Sequence, residues 1–329
     1  MRTVTLGQTG LTTSILGYGC AGLMRPATTR ERSALLETAF DSGIRHFDVA
    51  RYYGHGGAEE VLGRFVSEGN RRDEVTIATK FGIQPTSLGH SSFGKRIMSS
   101  ARWLASIHPQ VRKVLSKLAG GTVRTNRFDQ ESARLSLETS LRELRTDRID
   151  LFLLHDANLE DARTPGLLEF LEAAKQDGKI RAFGSASGYS ETLDIILHAP
   201  LCASVVQIAN GFGQWNLARL PANPSRFVIT HGALKILPVL ERGLRGAEST
   251  AGEGEFPLLS SMRGMKLAGL LLGFAMHENR QGITLFSSTQ PRRIRDNITK
   301  SLEAESFSSE DWSILRRAIK QQVPAIDVH

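Results

Sequence analysis

Cysteine is scarce. Cys20 and Cys202 are the only two in 329 residues. A disulfide-stapled secreted chain of this size usually carries more, so a reducing compartment is expected. Long apolar runs are missing too: the longest, LAGLLLGFAM from Leu267 to Met276, is roughly half of what a bilayer requires. The opening residues, MRTVTLGQTG, hold no apolar leader core. These absences point to a soluble cytoplasmic protein. No Cys/His set has zinc-ligand spacing, so no metal is expected, and no G-x-S-x-G nucleophile elbow occurs.

Acid is absent from one place in particular. Between Gly82 and Phe128 stand Lys95, Arg96, Arg102, Arg112, Lys113, Lys117, Arg124 and Arg127, with no Asp or Glu. The whole chain carries +7, so this stretch accounts for the excess and the remainder is near neutral. A field of that sign attracts anions such as phosphorylated cofactors or acidic substrates. Aromatic residues do not alternate with the basic ones as stacking platforms require, so nucleic acid is not expected. RIMSSARWLASIHPQVRKVLSKL reads as helical with a break at Pro109. A lid with solvated charges, an anion-binding surface and a membrane or partner contact are all open readings of it.

What is present is a rhythm. Apolar or β-branched runs SILGYG, RHFDVA, EVTIATK, IDLFLLHD, IRAFGSAS, ASVVQIAN, SRFVIT and GITLFSS recur, separated by helical patterns. IDLFLLHD is almost continuously apolar, as a parallel strand covered on both faces must be. Helix signals are local and clear. Thr28 and Glu31 form a capping-box pair, Asp129 precedes QESARLSLETSLREL, Gly178 stops EFLEAAKQD, and Pro291 fits a first helical turn. Alternating strand and helix without a composition break predicts one α/β domain over residues 1–329, a closed (β/α)8 TIM barrel, with residues 82–128 as a basic insert after the third strand, over the active-site mouth. An open doubly wound sheet is the alternative. LRGAESTAGEGEF, from Leu244 to Phe256, reads as a glycine-rich loop.

Two glycine motifs fall short of the nucleotide-binding patterns they resemble. GYGCAG, Gly17 to Gly22, matches G-x-G-x-x-G, but Leu-Met-Arg-Pro follows where a helix would have to open. It reads better as a strand end where backbone approaches a ligand or neighbour. GHSSFGKR puts Arg96 where a phosphate loop needs Ser or Thr.

The chemistry lies at successive strand ends. RHFDVA carries Asp48, EVTIATK ends in Lys80, and IDLFLLHD reaches His155. A barrel gathers such ends at one mouth, where Tyr53, five residues after Asp48, could join them. A lone lysine there is usually solvated and a lone histidine usually structural. Together the four suggest a proton donor: a free phenol is a poor acid at neutral pH, a nearby ammonium lowers its pKa, and a carboxylate keeps that lysine charged. Such a set handles a proton on oxygen and supplies no hydride, which implies a nicotinamide cofactor.

FDVARYYG, EEVLG, ATK and RTDRIDLFLLHD together resemble the signature set of the aldo-keto reductases, over almost the whole chain. The family pattern is F-D-T-A-x-x-Y-G, and Val49 here replaces Thr. The resemblance implies Asp48, Tyr53, Lys80 and His155 as the catalytic set, with Tyr53 rather than Tyr52 as general acid. It implies an NADP-dependent reductase of aldehydes or ketones. The alternatives are an NAD(P)-dependent sugar or alcohol dehydrogenase and a cofactor-binding regulatory barrel with little turnover. The expected partner is a small carbonyl or sugar substrate, an anionic one included, and the expected state is a monomer or weak homo-oligomer. FSSTQPRRIRDN resembles the segment that grips the 2′-phosphate and adenine: Ser288 and Arg293 on the phosphate, Asn297 on the adenine. Ser287 stands where the family often has Lys or Gly, which leaves NAD use open. Gly19, Cys20, Ala21, Asp48, Ser187, Gln207 and Ser287 complete the implied cofactor contacts. Two departures concern the nicotinamide. Ala186 and Ser187 replace Ser-Asn, and Asn210 stands where a stacking aromatic is expected, with Phe212 or Trp215 as nearby substitutes.

Overall fold

The computed structural model describes residues 1–7, 9–83, 127–241 and 267–322. Eight parallel strands close into a barrel. They are β3 (Leu16–Gly19), β4 (His46–Asp48), β5 (Thr76–Phe81), β6 (Ile149–His155), β7 (Ile180–Ala186), β8 (Val205–Ala209), β9 (Phe227–His231) and β10 (Ile283–Phe286). They correspond in order to the eight apolar runs of the sequence. β10 pairs with β3, which closes the ring, and the open-sheet alternative is thereby excluded. Before them, β1 (Thr3–Thr5) and β2 (Thr12–Ser14) form an antiparallel hairpin that the sequence pattern did not announce. The Ser14 hydroxyl accepts from Arg45 N–H just before β4, and Thr13 accepts from Thr76 at the start of β5. The hairpin therefore sits at the N-terminal end of the barrel, leaving the opposite mouth free.

The helices begin where the caps place them. α1 (Thr29–Asp41) opens on the full capping box of Thr28 and Glu31. α2 (Gly57–Glu68) follows β4, and α3 (Gln130–Glu143) opens with the Asp129 carboxylate accepting from Ser132 N–H. α4 (Leu167–Gln176), α5 (Tyr189–His198), α6 (Leu267–Glu278), α7 (Pro291–Glu303) and α8 (Ser309–Gln322) complete the main set. α6 holds the longest apolar run. It is buried on almost every side, because Gly269 and Gly273 let α7 approach and Phe274 packs among Phe212, Trp215 and Trp312. Among the described residues no helix is long and apolar enough to cross a membrane.

Residues 84–126 of the expected basic insert and the expected glycine-rich loop at 244–256 lie outside the described residues. The insert's ends are described: Arg127 N–H donates to Gly82 O at 3.0 Å, directly after β5. The segment thus leaves and rejoins the barrel at the C-terminal end of a strand.

Two features of the packing carry consequences. Gly63 in α2 faces the carbonyl of Glu143 and the backbone of Leu144 so closely that an added Cβ would collide with main chain. Gly63→Ala is expected to cost about 1–3 kcal/mol, read as a lower urea midpoint with an unchanged slope. His46 is fully buried, its Nδ1 hydrogen-bonded to Thr76 Oγ1 at 2.9 Å while Nε2 has no partner. Burial, with Lys80 acting in the same sense, pulls its pKa from 6.5 down to about 3. The fold holds the neutral ring, whereas the unfolded chain binds a proton below pH 6.5. The stability this contributes is complete above that pH and is lost as pH falls toward 3, by about 1.4 kcal/mol per pH unit at most. Urea unfolding between pH 7 and 4 should show this decline, and a flat profile would contradict it.

Candidate active site

Strand register decides which side chains meet. Asp48 is the last residue of β4 and pairs with Ala78 on β5, so Lys80 stands two residues further along the neighbouring strand. Side chains two apart share a face. Lys80 consequently reaches back to Asp48 inside the barrel. Its ammonium donates to both carboxylate oxygens at 2.7 Å and to Val49 O at 3.1 Å. Both residues are almost wholly buried. An isolated charge there would be very costly, and bidentate pairing is what makes the arrangement tenable. Burial alone would pull the Lys80 ammonium down, but Asp48 and Tyr53 outweigh it, and Lys80 is held above its ordinary value.

Tyr53 does not lie on an open loop. It starts a short 3-10 turn, Tyr53–Gly56, seated against the barrel. Gly54 has φ +60 and faces the Met24 side chain so closely that no Cβ fits. The turn brings the phenol oxygen to 3.5 Å from Lys80 Nζ, with the ammonium as donor. The phenol's own proton therefore remains free for another acceptor. His155, the last residue of β6, sets its ring edge-on to Tyr53 with centroids 5.9 Å apart. A nearby ammonium by itself would hold the phenol below its ordinary pKa. The structure corrects this: burial is the larger effect and Asp48 adds to it, so the Tyr53 pKa is raised although Lys80 pulls it down.

All four residues line one cavity of about 760 Å³ at the C-terminal mouth. Of the residues implied to hold a cofactor, Gly19, Ala21, Ser187, Gln207 and Ser287 line it as well. Cys20 does not. Its thiol is fully buried beneath the wall, hydrogen-bonded to Tyr18 O, and burial pushes it far above an ordinary thiol. Ser288, Arg293 and Asn297 do not line the cavity. Ser288 accepts Tyr18 Oη–H at its carbonyl and Gln290 N–H at its hydroxyl. Arg293 is exposed in the first turn of α7, and Asn297 is buried one turn on. The α7 N-terminus has no side-chain cap, so its free N–H groups can serve an anion.

The expected replacement for a stacking aromatic fails. Phe212 and Trp215 pack with Phe274, away from the cavity, in a second apolar cluster. Asn210 is buried too, its side-chain oxygen accepting from Leu217 N–H at 2.9 Å. The wall at this point is Ala209. Its partner across the β8–β9 pairing is His231, which also lines the cavity. Burial, then Lys235 and Lys80, pull the His231 pKa to about 4, so the ring is neutral at physiological pH. His231 is the last residue of β9, one beyond the SRFVIT run. Arg25 and Lys235 line the cavity too, and no local signal marked either.

A nicotinamide dinucleotide can be tested against these groups. Gln207 hydrogen-bonds Asp48 through its amide, while its Oε1 is buried with no partner. Ser187 donates its hydroxyl proton to Ala157 O at 2.8 Å, leaving its oxygen as an acceptor. Both groups suit the N–H donors of a carboxamide. Among the described residues no three His, Cys, Asp or Glu side chains are grouped so as to hold a metal ion.

The sequence profile of the Aldo/keto reductase family matches residues 15–220. The chain is 32% identical to D-threo-aldose 1-dehydrogenase from a Pseudomonas species over 191 residues, 56% of this chain and 53% of that protein. It is 45% identical to pyridoxal 4-dehydrogenase from Microbacterium luteolum over 80 residues, 23% of each. The chain thus spans about half the length of the first relative and less of the second. Among solved structures, glycerol dehydrogenase from Gluconobacter oxydans superposes with a TM-score of 0.67 at 19% identity, covering 98% of this chain and 96% of that one. An aldo-keto reductase from Klebsiella pneumoniae in complex with NADPH gives 0.65 at 20% identity, over 97% and 95%. These two share the fold. With the profile covering most of the barrel, the chain belongs to the aldo/keto reductase family.

Proposed function

We propose that this protein is an oxidoreductase that binds a nicotinamide dinucleotide, preferring NADP, and reduces an aldehyde or ketone with Tyr53 as proton donor. The observation that carries this reading is the placement of one ammonium, Lys80, against both the Asp48 carboxylate and the Tyr53 phenol beside His155. When bound, the reduced nicotinamide supplies a hydride to the carbonyl carbon. Tyr53 and His155 hydrogen-bond the carbonyl oxygen and fix its direction. As negative charge grows on that oxygen, Tyr53 gives up its phenolic proton. The raised phenol pKa keeps that proton in place beforehand. Lys80 then stabilises the phenolate, and Asp48 keeps Lys80 charged and in place. In the opposite direction the Tyr53 phenolate takes the alcohol proton. Similarity to an aldose dehydrogenase supports a sugar or alcohol oxidation by the same residues as the second reading.

Gln207 Oε1 and the Ser187 oxygen would hold the carboxamide. Ser288, Arg293 and the free N-terminus of α7 would take a 2′-phosphate, with Asn297 toward the adenine. That cluster supports NADP over NAD, since NAD lacks the phosphate.

Fluorescence titration should give tighter binding for NADPH than NADH. Arg293→Ala should weaken NADPH about tenfold and leave NADH unchanged. Equal losses for both would remove Arg293 from the phosphate site. On a panel of aldehydes, ketones, sugars and alcohols, Tyr53→Phe should lower kcat by about 10²–10⁴-fold with nucleotide affinity preserved. Tight nucleotide binding without turnover on any substrate would favour the regulatory barrel instead.

A further inference from the structure

Glu59, the third residue of α2, is fully buried. Its carboxylate collects three side-chain hydrogen bonds, each of 2.7 Å. Oε2 accepts from Arg51 Nη1, and Oε1 accepts from both Thr79 Oγ1 and Ser140 Oγ. The donors come from the segment after β4, from β5 and from α3. Nothing in the reaction described above uses this group. A buried ion pair is weak evidence for stability, since apolar residues of the same shape often do as well. Its placement suggests another purpose.

Two of the three donors are sequence neighbours of the proposed chemistry. Arg51 stands two residues before Tyr53, and Thr79 directly precedes Lys80. Successive side chains on a strand point to opposite faces. Lys80 faces the barrel interior, so Thr79 faces the helices, where it meets Glu59. Glu59 thus grips the outer side of the same backbone whose inner side presents the ammonium. Through Arg51 it also holds the start of the turn that carries Tyr53. Arg51 reaches the turn's far end as well: its Nη1 lies 3.5 Å from where a Cβ on Gly56 would stand, and Gly56 has φ +87. Both partners of the Lys80–Tyr53 contact are therefore anchored to one carboxylate. That contact is 3.5 Å long, at the outer limit of a hydrogen bond, where small displacements change its strength most.

We propose that Glu59 is a positioning residue that sets the Lys80–Tyr53 distance through Thr79 and Arg51; its effect on turnover rests on the reading of Tyr53 as proton donor. Glu59→Gln keeps the size of the side chain and an acceptor for Thr79 and Ser140 while removing the charge that faces Arg51.

The test uses the full-length protein with ¹³C-labelled tyrosine rings. The chain has four tyrosines, so Tyr53→Phe assigns the Tyr53 ζ-carbon resonance directly. In folded Glu59→Gln at neutral pH, the Tyr53 resonance should move while those of Tyr18 and Tyr189 stay. Turnover should fall about tenfold in kcat, with nucleotide affinity and KM within about twofold of wild type. In a Tyr53→Phe background the same substitution should cause no further loss. An unmoved Tyr53 resonance in the folded variant overturns the proposal, and so does a loss that multiplies with Tyr53→Phe. If Tyr53→Phe alone keeps wild-type turnover, the reading of Tyr53 as acid fails instead, and the resonance by itself then decides whether Glu59 sets the contact. Should Glu59→Gln fail to fold, Arg51→Lys is read in the same ways with the same expected direction.

Discussion

A lysine ammonium held inside a barrel by one aspartate organises everything else in this site. Lys80 and Asp48 are both almost inaccessible to water, and neither charge could persist there alone. Losing either partner of such a pair typically costs about 3–5 kcal/mol, because the survivor remains buried and unpaired. The pair is tenable because Lys80 satisfies its donors on two carboxylate oxygens and the Val49 carbonyl. The Tyr53 hydroxyl, at 3.5 Å, is a fourth and weaker contact of the same ammonium. The field that would stabilise a phenolate thus comes from the ammonium of a structural ion pair, present before any ligand arrives, which is what electrostatic preorganisation requires.

The support for this pair is nested. Inside the barrel, Asp48 and Lys80 meet through the β4–β5 register. Outside it, Glu59 ties β5, α2, α3 and the segment leading to Tyr53 into one hydrogen-bonded knot. Two buried carboxylates on opposite sides of one sheet wall therefore bear on a single phenol–ammonium contact. Close glycine contacts allow the geometry: Gly63 admits α3 against α2, and Gly54 admits Met24 against the turn.

The cavity wall is less conventional than the set of four. The position expected to offer an aromatic ring turns inward as Asn210, Ala209 forms the wall, and the neutral ring of His231 stands across from it. Lys235 and Arg25 add positive charge at the mouth. The residues here differ from the family pattern, while the set of Asp48, Lys80, Tyr53 and His155 follows it.

Local signals in the chain determined where the strands fall and where the helices start. The apolar run of β6, the Thr28–Glu31 box and the Asp129 cap act through neighbours in sequence, and the structure places them as their patterns require. Asp48, Lys80 and His155 were legible for the same reason, since each falls at the end of a recognisable strand. Tertiary structure alone decided the rest. The sign of the Tyr53 pKa shift depends on how much water burial removes, which no spacing reveals. The burial of Cys20, the turning away of Phe212 and Trp215, and the arrival of His231 and Lys235 depend on strand register and on a second apolar cluster built from α6 and α8. Glu59 is the clearest instance: its partners Arg51, Thr79 and Ser140 are separated by up to 81 residues from it, and only the packing of α2 and α3 against β5 brings them to one carboxylate.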